Sequence, residues 1–243
     1  MLPFWVVGSL AALNFVGAYF FLPETHNNRE HNQKAIPLNP LIPIFKALKD
    51  DALRSRYMAW FLFGVAFAGM QSIFALFVKS AFGFSAVTTG YLFTGMGVVL
   101  VINQAFALNK IWLKYFKEAD LEIWFFVVMI AGFVFADLKI MSLFLVGIFL
   151  TTVGQSTLRV VMSSGVAGVA GQMRRGEVMG IMASIISASM IVGPLLAGAL
   201  FQKNIQFPFL MNIILLVVAF LIMKKCCRLG GKIKEEVEVQ ALA

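Results

Sequence analysis

The feature that most constrains this chain is a succession of long stretches with almost no charge, joined by short basic ones. Seven such runs occur, at 3–22, 57–78, 88–108, 121–136, 140–164, 178–201 and 207–223. A helix rises about 1.5 Å per residue, so about 20 apolar residues cross a hydrocarbon core about 30 Å thick. Lipid offers no partner to backbone N–H and C=O groups, so each run has to close its own hydrogen bonds as a helix. Composition agrees: 60% of the 243 residues are hydrophobic and only 13% charged, a balance foreign to water-soluble domains. The expected fold is all-α, a polytopic membrane helix bundle with seven transmembrane helices.

Two runs need separate argument. Within 121–136 the uninterrupted apolar part starts at Ile123 and is too short to span alone, so its helix is predicted to begin near Ala119, with Trp124 at the interface. The N-terminal run invites a signal-peptide reading, but it has no positive n-region, its apolar part is too long, and Asn14 interrupts it. It reads as a membrane helix.

Orientation follows from the basic residues. Segments 23–56, 109–120, 165–177 and the tail from Lys224 hold every Lys and Arg except Lys79, Lys139, Lys203 and Arg159. Basic loops stay on the cytoplasmic side, so these four segments are expected there. The net charge of +8 is therefore spread over several loops as membrane anchoring, which argues against a nucleic-acid partner. The resulting organisation is a helix at 1–22, a cytoplasmic loop at 23–56, a six-helix domain at 57–223 and a cytoplasmic tail at 224–243. An odd number of spans leaves Met1 outside, and an uncharged start entering the membrane at once points to a truncated chain. The tail after Gly231 is charged and expected to be disordered.

Charge inside the spans is scarce. The 12 acidic residues lie in loops, in the tail or at span ends, Glu122 and Asp137 among the last, and His26 and His31 both sit in the long loop. Pumps commonly carry protons on buried carboxylates or histidines, so this chain shows no proton carrier of its own at mid-membrane. No nucleophile–base set, metal cluster or cofactor motif occurs, and His26 and His31 are not spaced as a metalloprotease pair. An enzyme is not expected, nor a metal or cofactor. Cys226 and Cys227 read either as palmitoylation sites or as reduced cytosolic thiols.

The polar residues that the spans do contain form stripes. In the fifth run Gly147, Thr151, Gln155, Arg159 and Ser163 recur every four residues and share one helix face. A charge within a span costs at least about 2.5 kcal/mol, so Arg159 either lines a watery cavity or snorkels to cytoplasmic phosphates. Gly90, Thr94, Gly97, Val101 and Gln104 make a milder stripe in the third run, beside Asn103, and Phe63, Phe67, Gln71 and Phe74 mix aromatics with one amide in the second. Such faces serve either helix packing or a greasy binding cavity. In the sixth run Gly180, Ser184 and Ala188 form a seam of small residues, and Pro194, after Gly193, removes a backbone donor and favours a bend.

Four segments carry a family resemblance: "PFWVVGSLAALNFVGAYFFLPET" (3–25), "LNPL" (38–41), "FGFSAVTTGYLFTGMGVVLVINQA" (82–105) and "RRGEVMGIMASIISASMIVGPLLAGALF" (174–201). The chain resembles the C-terminal half of a major facilitator superfamily transporter, helices six to twelve, in particular the tetracycline-resistance type of drug/proton antiporter. The resemblance implies alternating access to a midplane site between two six-helix halves, in a bacterial inner membrane, with a small hydrophobic or amphipathic solute, membrane lipids and an N-terminal half as partners. It places Gln71, Gln104 and Gln155 on the cavity side, and Gly193 and Pro194 where the eleventh helix bends; Arg159, on the same face as Gln155, is a further solute-binding candidate from the stripe itself. It also makes "NPLIPIFKALKDDALR" (39–54) an amphipathic helix along the inner surface. Ser156 stands where the family often has proline, and Arg159 where a neutral residue is usual. The resemblance leaves three functions open: half of an efflux antiporter, a half handling another solute, or a non-transporting structural remnant.

Overall fold

The computed structural model describes residues 2–21 and 51–242. The 23–56 loop, its amphipathic stretch at 39–54, His26 and His31 fall largely or wholly outside them. Every described element is helical, and seven helical segments are long and apolar enough to cross a membrane, matching the seven uncharged runs. The chain divides into two compact units, residues 1–39 and 40–243.

The first unit contributes α1 (Leu2–Phe21). Its 20 residues carry no charge and cover about 30 Å of rise, the thickness of a hydrocarbon core.

The second unit opens with α2 (Asp51–Phe82). A left-handed Gly83 (φ 69°) and the Ser85 hydroxyl, which accepts from Thr88 N at 3.2 Å, end it and cap α3 (Ala86–Ile102). The third crossing then loses α-helical pitch: Asn103–Trp112 forms ten residues of π-helix. Next comes α4 (Glu118–Asp137), starting where sequence placed it. A tight turn with Lys139 at φ 55° leads into α5 (Met141–Lys203), followed by α6 (Phe207–Leu242). That last helix runs on through the tail expected to be disordered.

Helix α5 holds two crossings, and its contacts reveal the reversal. Along its first arm Gly147 lies against Gly132 and Ala136, Gly154 against Met129, and Gly165 against Glu122, so this arm is antiparallel to α4. Along its second arm Trp60 Nε1 donates to Met182 O at 3.2 Å, Ser189 Oγ to Phe61 O at 3.2 Å, and Gly193 meets Gly69, so this arm runs parallel to α2. The chain therefore doubles back between Gly165 and Val178, where sequence suggested a loop, with helical backbone throughout.

Packing in lipid depends on close fit rather than on expulsion of water. Glycines supply it at two crossings: a Cβ on Gly147 would lie 2.6 Å from Gly132 O, and one on Gly193 would lie 2.7 Å from both Gly69 N and Val65 O. Aromatic rings fill the space where four helices meet, with Phe77 and Phe209 at 4.5 Å, Phe82 and Phe144 at 4.6 Å, and Phe133 edge-on to Phe209. The seam expected in the sixth run is displaced. Gly180 and Ser184 are exposed, and nothing approaches a Cβ at Gly180; the packed stripe is Ser189, Gly193 and Ala197.

Candidate functional site

Helices α2 to α6 line an open cavity of about 240 Å³. Its walls are mainly aromatic and methionine side chains: Phe67, Met70 and Phe74 from α2, Phe93 and Met96 from α3, Met129 and Phe133 from α4, Phe144 from α5 and Phe209 from α6. Set into this wall are two amides, Gln71 and Gln155, and two hydroxyls, Thr151 and Thr152. Both threonine hydroxyls donate to backbone carbonyls one turn back, Thr151 to Gly147 O at 2.9 Å and Thr152 to Ile148 O at 2.8 Å. Their lone pairs remain as acceptors, whereas the two glutamines make no side-chain hydrogen bond to any described residue.

A neighbouring pocket of about 380 Å³ is lined by Leu100, Gln104, Gln155, Ser156, Arg159, Val160 and Ser163. Gln155 and Leu100 belong to both walls, so the two spaces adjoin there. The structure thus strings Gln71, Gln155, Gln104 and Arg159 along one polar path. Arg159 is exposed and has no acidic partner among the described residues. Gly193 and Pro194 lie elsewhere, Gly193 buried at the crossing with α2 and Pro194 inside α5. Without an N–H at Pro194, the carbonyl of Met190 loses its helical donor.

The chemistry this arrangement supports is recognition. Polarisable, aromatic walls with a few unspent amide donors and acceptors suit a greasy molecule bearing one or two polar groups. Among the described residues no cluster of His, Cys, Asp or Glu could hold a metal ion.

Residues 121–228 match the Major Facilitator Superfamily. Over 216 residues it is 25% identical to the multidrug resistance protein 2 of Bacillus subtilis, covering 86% of this chain and 52% of that protein. It is 24% identical to the quinolone resistance protein NorA of Staphylococcus aureus, covering 87% and 53%. The chain thus spans about half the length of the curated relatives it matches. The human organic anion transporter MFSD10 shares the fold, with a TM-score of 0.67 over 76% of this chain and 46% of that one, at 20% identity. The protein is an integral membrane protein.

Two polar features of the helix bundle escaped sequence reading. At one end of the bundle Arg56 Nη1 lies 2.9 Å from Glu122 Oε1, the carboxylate being 1% and the guanidinium side chain 15% exposed. Glu122 Oε2 finds no partner among the described residues. Gly165 covers the pair, because a Cβ there would fall on Arg56 Nη1 and 2.9 Å from Glu122 Oε1. Second, buried Asn103 donates to Ser156 Oγ at 2.6 Å and Thr157 Oγ1 at 2.8 Å, and accepts from Trp112 Nε1 at 3.1 Å. Ser156 thereby supplies an acceptor to the π-helical segment.

Proposed function

We propose that this chain acts as the C-terminal half of a proton-coupled efflux antiporter, binding a drug-sized hydrophobic or amphipathic solute by alternating access. The observation that carries this reading is the cavity walled by Phe and Met and set with Gln71 and Gln155, continued towards Gln104 and Arg159. The relatives named for multidrug and quinolone resistance support the same solute class. In this reading α1 corresponds to the sixth helix, the second unit to helices seven to twelve, and Gly193 with Pro194 forms the bend on which the eleventh helix moves. An N-terminal half completes the cavity and supplies the proton-carrying carboxylates, which the spans of this chain lack at mid-membrane. Loops 23–56, 109–120 and 165–177 and the tail face the cytoplasm of a bacterial inner membrane, and the protein performs no catalysis.

The test is expression of this chain in efflux-deficient cells, alone and with a matching N-terminal half, with accumulation of a fluorescent amphipathic dye as the readout. Lower accumulation only when both halves are present is the expected result. Unchanged accumulation with both halves assembled in the membrane refutes transport and leaves a structural remnant. Lower accumulation with this chain alone refutes the need for a partner half.

A further inference from the structure

A second cleft, of about 630 Å³, lies between the π-helical segment, α4 and the first arm of α5, within the range of about 300–1,000 Å³ typical of ligand sites. Ala107, Trp112, Trp124, Val128, Phe149 and Val153 contribute to its apolar wall. Its one buried amide, Asn103, is fully spent on Ser156, Thr157 and Trp112. Its wall holds no free amide, in contrast to the cavity that holds Gln71 and Gln155. Two wall residues, Trp124 and Phe149, are 61% and 51% exposed, so the cleft opens on the outer surface of the bundle.

The rim is basic. Trp112, Phe116 and Leu121 line the cleft, and the same stretch of chain carries Lys114 and Lys117, with Lys110 just before it; all three lysines are exposed. Lys110 Nζ lies 5.6 Å from the Phe106 ring and Lys114 Nζ 5.5 Å from the Tyr115 ring, and none of the three has an acidic partner among the described residues. The nearby acids are engaged otherwise: Glu118 accepts from Ser164 at 3.2 Å, Glu122 pairs with Arg56, and Asp120 sits in the first turn of α4, where the helix dipole favours it.

We propose that this cleft binds one anionic membrane phospholipid, an acyl chain filling the apolar space and the headgroup phosphate held by Lys110, Lys114 and Lys117. A greasy slot whose one buried amide is already spent fits a hydrocarbon tail, and the exposed lysines that flank its lining residues in sequence fit the headgroup. The site does not depend on whether the chain transports anything.

The test uses the full chain with Trp5→Phe and Trp124→Phe, leaving Trp112 in the cleft and Trp60 buried at the contact of α2 with α5. It is reconstituted in phosphatidylcholine vesicles containing a small fraction of either brominated phosphatidylglycerol or brominated phosphatidylcholine, and tryptophan quenching is measured. The anionic lipid is expected to be enriched at Trp112 by at least about fivefold, the attraction that one lysine exerts at an anionic surface. Lys110→Gln, Lys114→Gln and Lys117→Gln together bring the ratio of the two lipids to one, with circular dichroism unchanged. Ala107→Phe, which fills the cleft, weakens quenching by both lipids. Equal quenching by the two lipids in the parent protein, or a preference that survives loss of the three lysines, overturns the proposal. Quenching untouched by Ala107→Phe in a folded protein overturns the placement of the chain in this cleft.

Discussion

Replacing Arg56 by methionine tests the buried ion pair most directly. The change keeps much of the aliphatic stem but removes the guanidinium, leaving the Glu122 carboxylate 1% exposed with neither oxygen paired. Breaking a buried pair from one side costs about 3–5 kcal/mol, because the remaining charge stays desolvated. For a chain of this size about 1 kcal/mol moves the melting temperature by about 2–4 °C, so Arg56→Met lowers it by about 6–20 °C. Arg56→Met combined with Glu122→Leu removes both charges while keeping volume, and recovers most of that loss, since an apolar pair of similar size costs nothing in desolvation. Glu122→Gln falls between, because its amide oxygen can still accept from Arg56. The assay is thermal unfolding in detergent micelles followed by tryptophan emission, with the four proteins forming a double-mutant cycle. A loss under about 2 °C for Arg56→Met, or no recovery in the double variant, refutes the idea that Gly165 and its neighbours seal this pair from solvent.

Three further outcomes follow from the same structure. Gly193→Ala drives a methyl into Gly69 N and Val65 O, each 2.7 Å away, and lowers stability by about 1–3 kcal/mol, whereas Gly180→Ala meets nothing and leaves the melting temperature unchanged or slightly raised; equal effects would contradict the packed stripe assigned to α5. Asn212 is fully buried and its amide has no partner among the described residues, so Asn212→Leu raises stability by about 1–3 kcal/mol, and a drop in melting temperature would mean that the amide is satisfied after all. With a partner half supplied, Gln155→Leu weakens solute binding by about 2- to 10-fold, the worth of one hydrogen bond, measured as the dye concentration that half-saturates efflux; no change would remove Gln155 from the proposed site.

The helices themselves were legible because lipid leaves an uncharged run of sufficient length only one backbone solution, and the structure places a helical segment over each of the seven. The polar stripe of the fifth run was legible for a related reason: a four-residue spacing keeps Thr151, Gln155 and Arg159 on one side, whatever that side meets. What the stripe meets is a tertiary fact. In the sixth run Gly180, Ser184 and Ala188 form one stripe spaced by four and Ser189, Gly193 and Ala197 another, one residue further round, and composition cannot choose between them. Gly69 on α2 chooses, since a Cβ there would already sit 3.0 Å from Gly193 O. The π-helix at Asn103–Trp112 had no local signal either. The ion pair was closer to being readable. Basic loops assign the start of α2, the start of α4 and the reversal of α5 to one end of the bundle, which brings Arg56, Glu122 and Gly165 together before any coordinates exist. Two opposite charges at the edges of spans at the same end, with a glycine at the edge of a third, are what the structure joins into a covered pair.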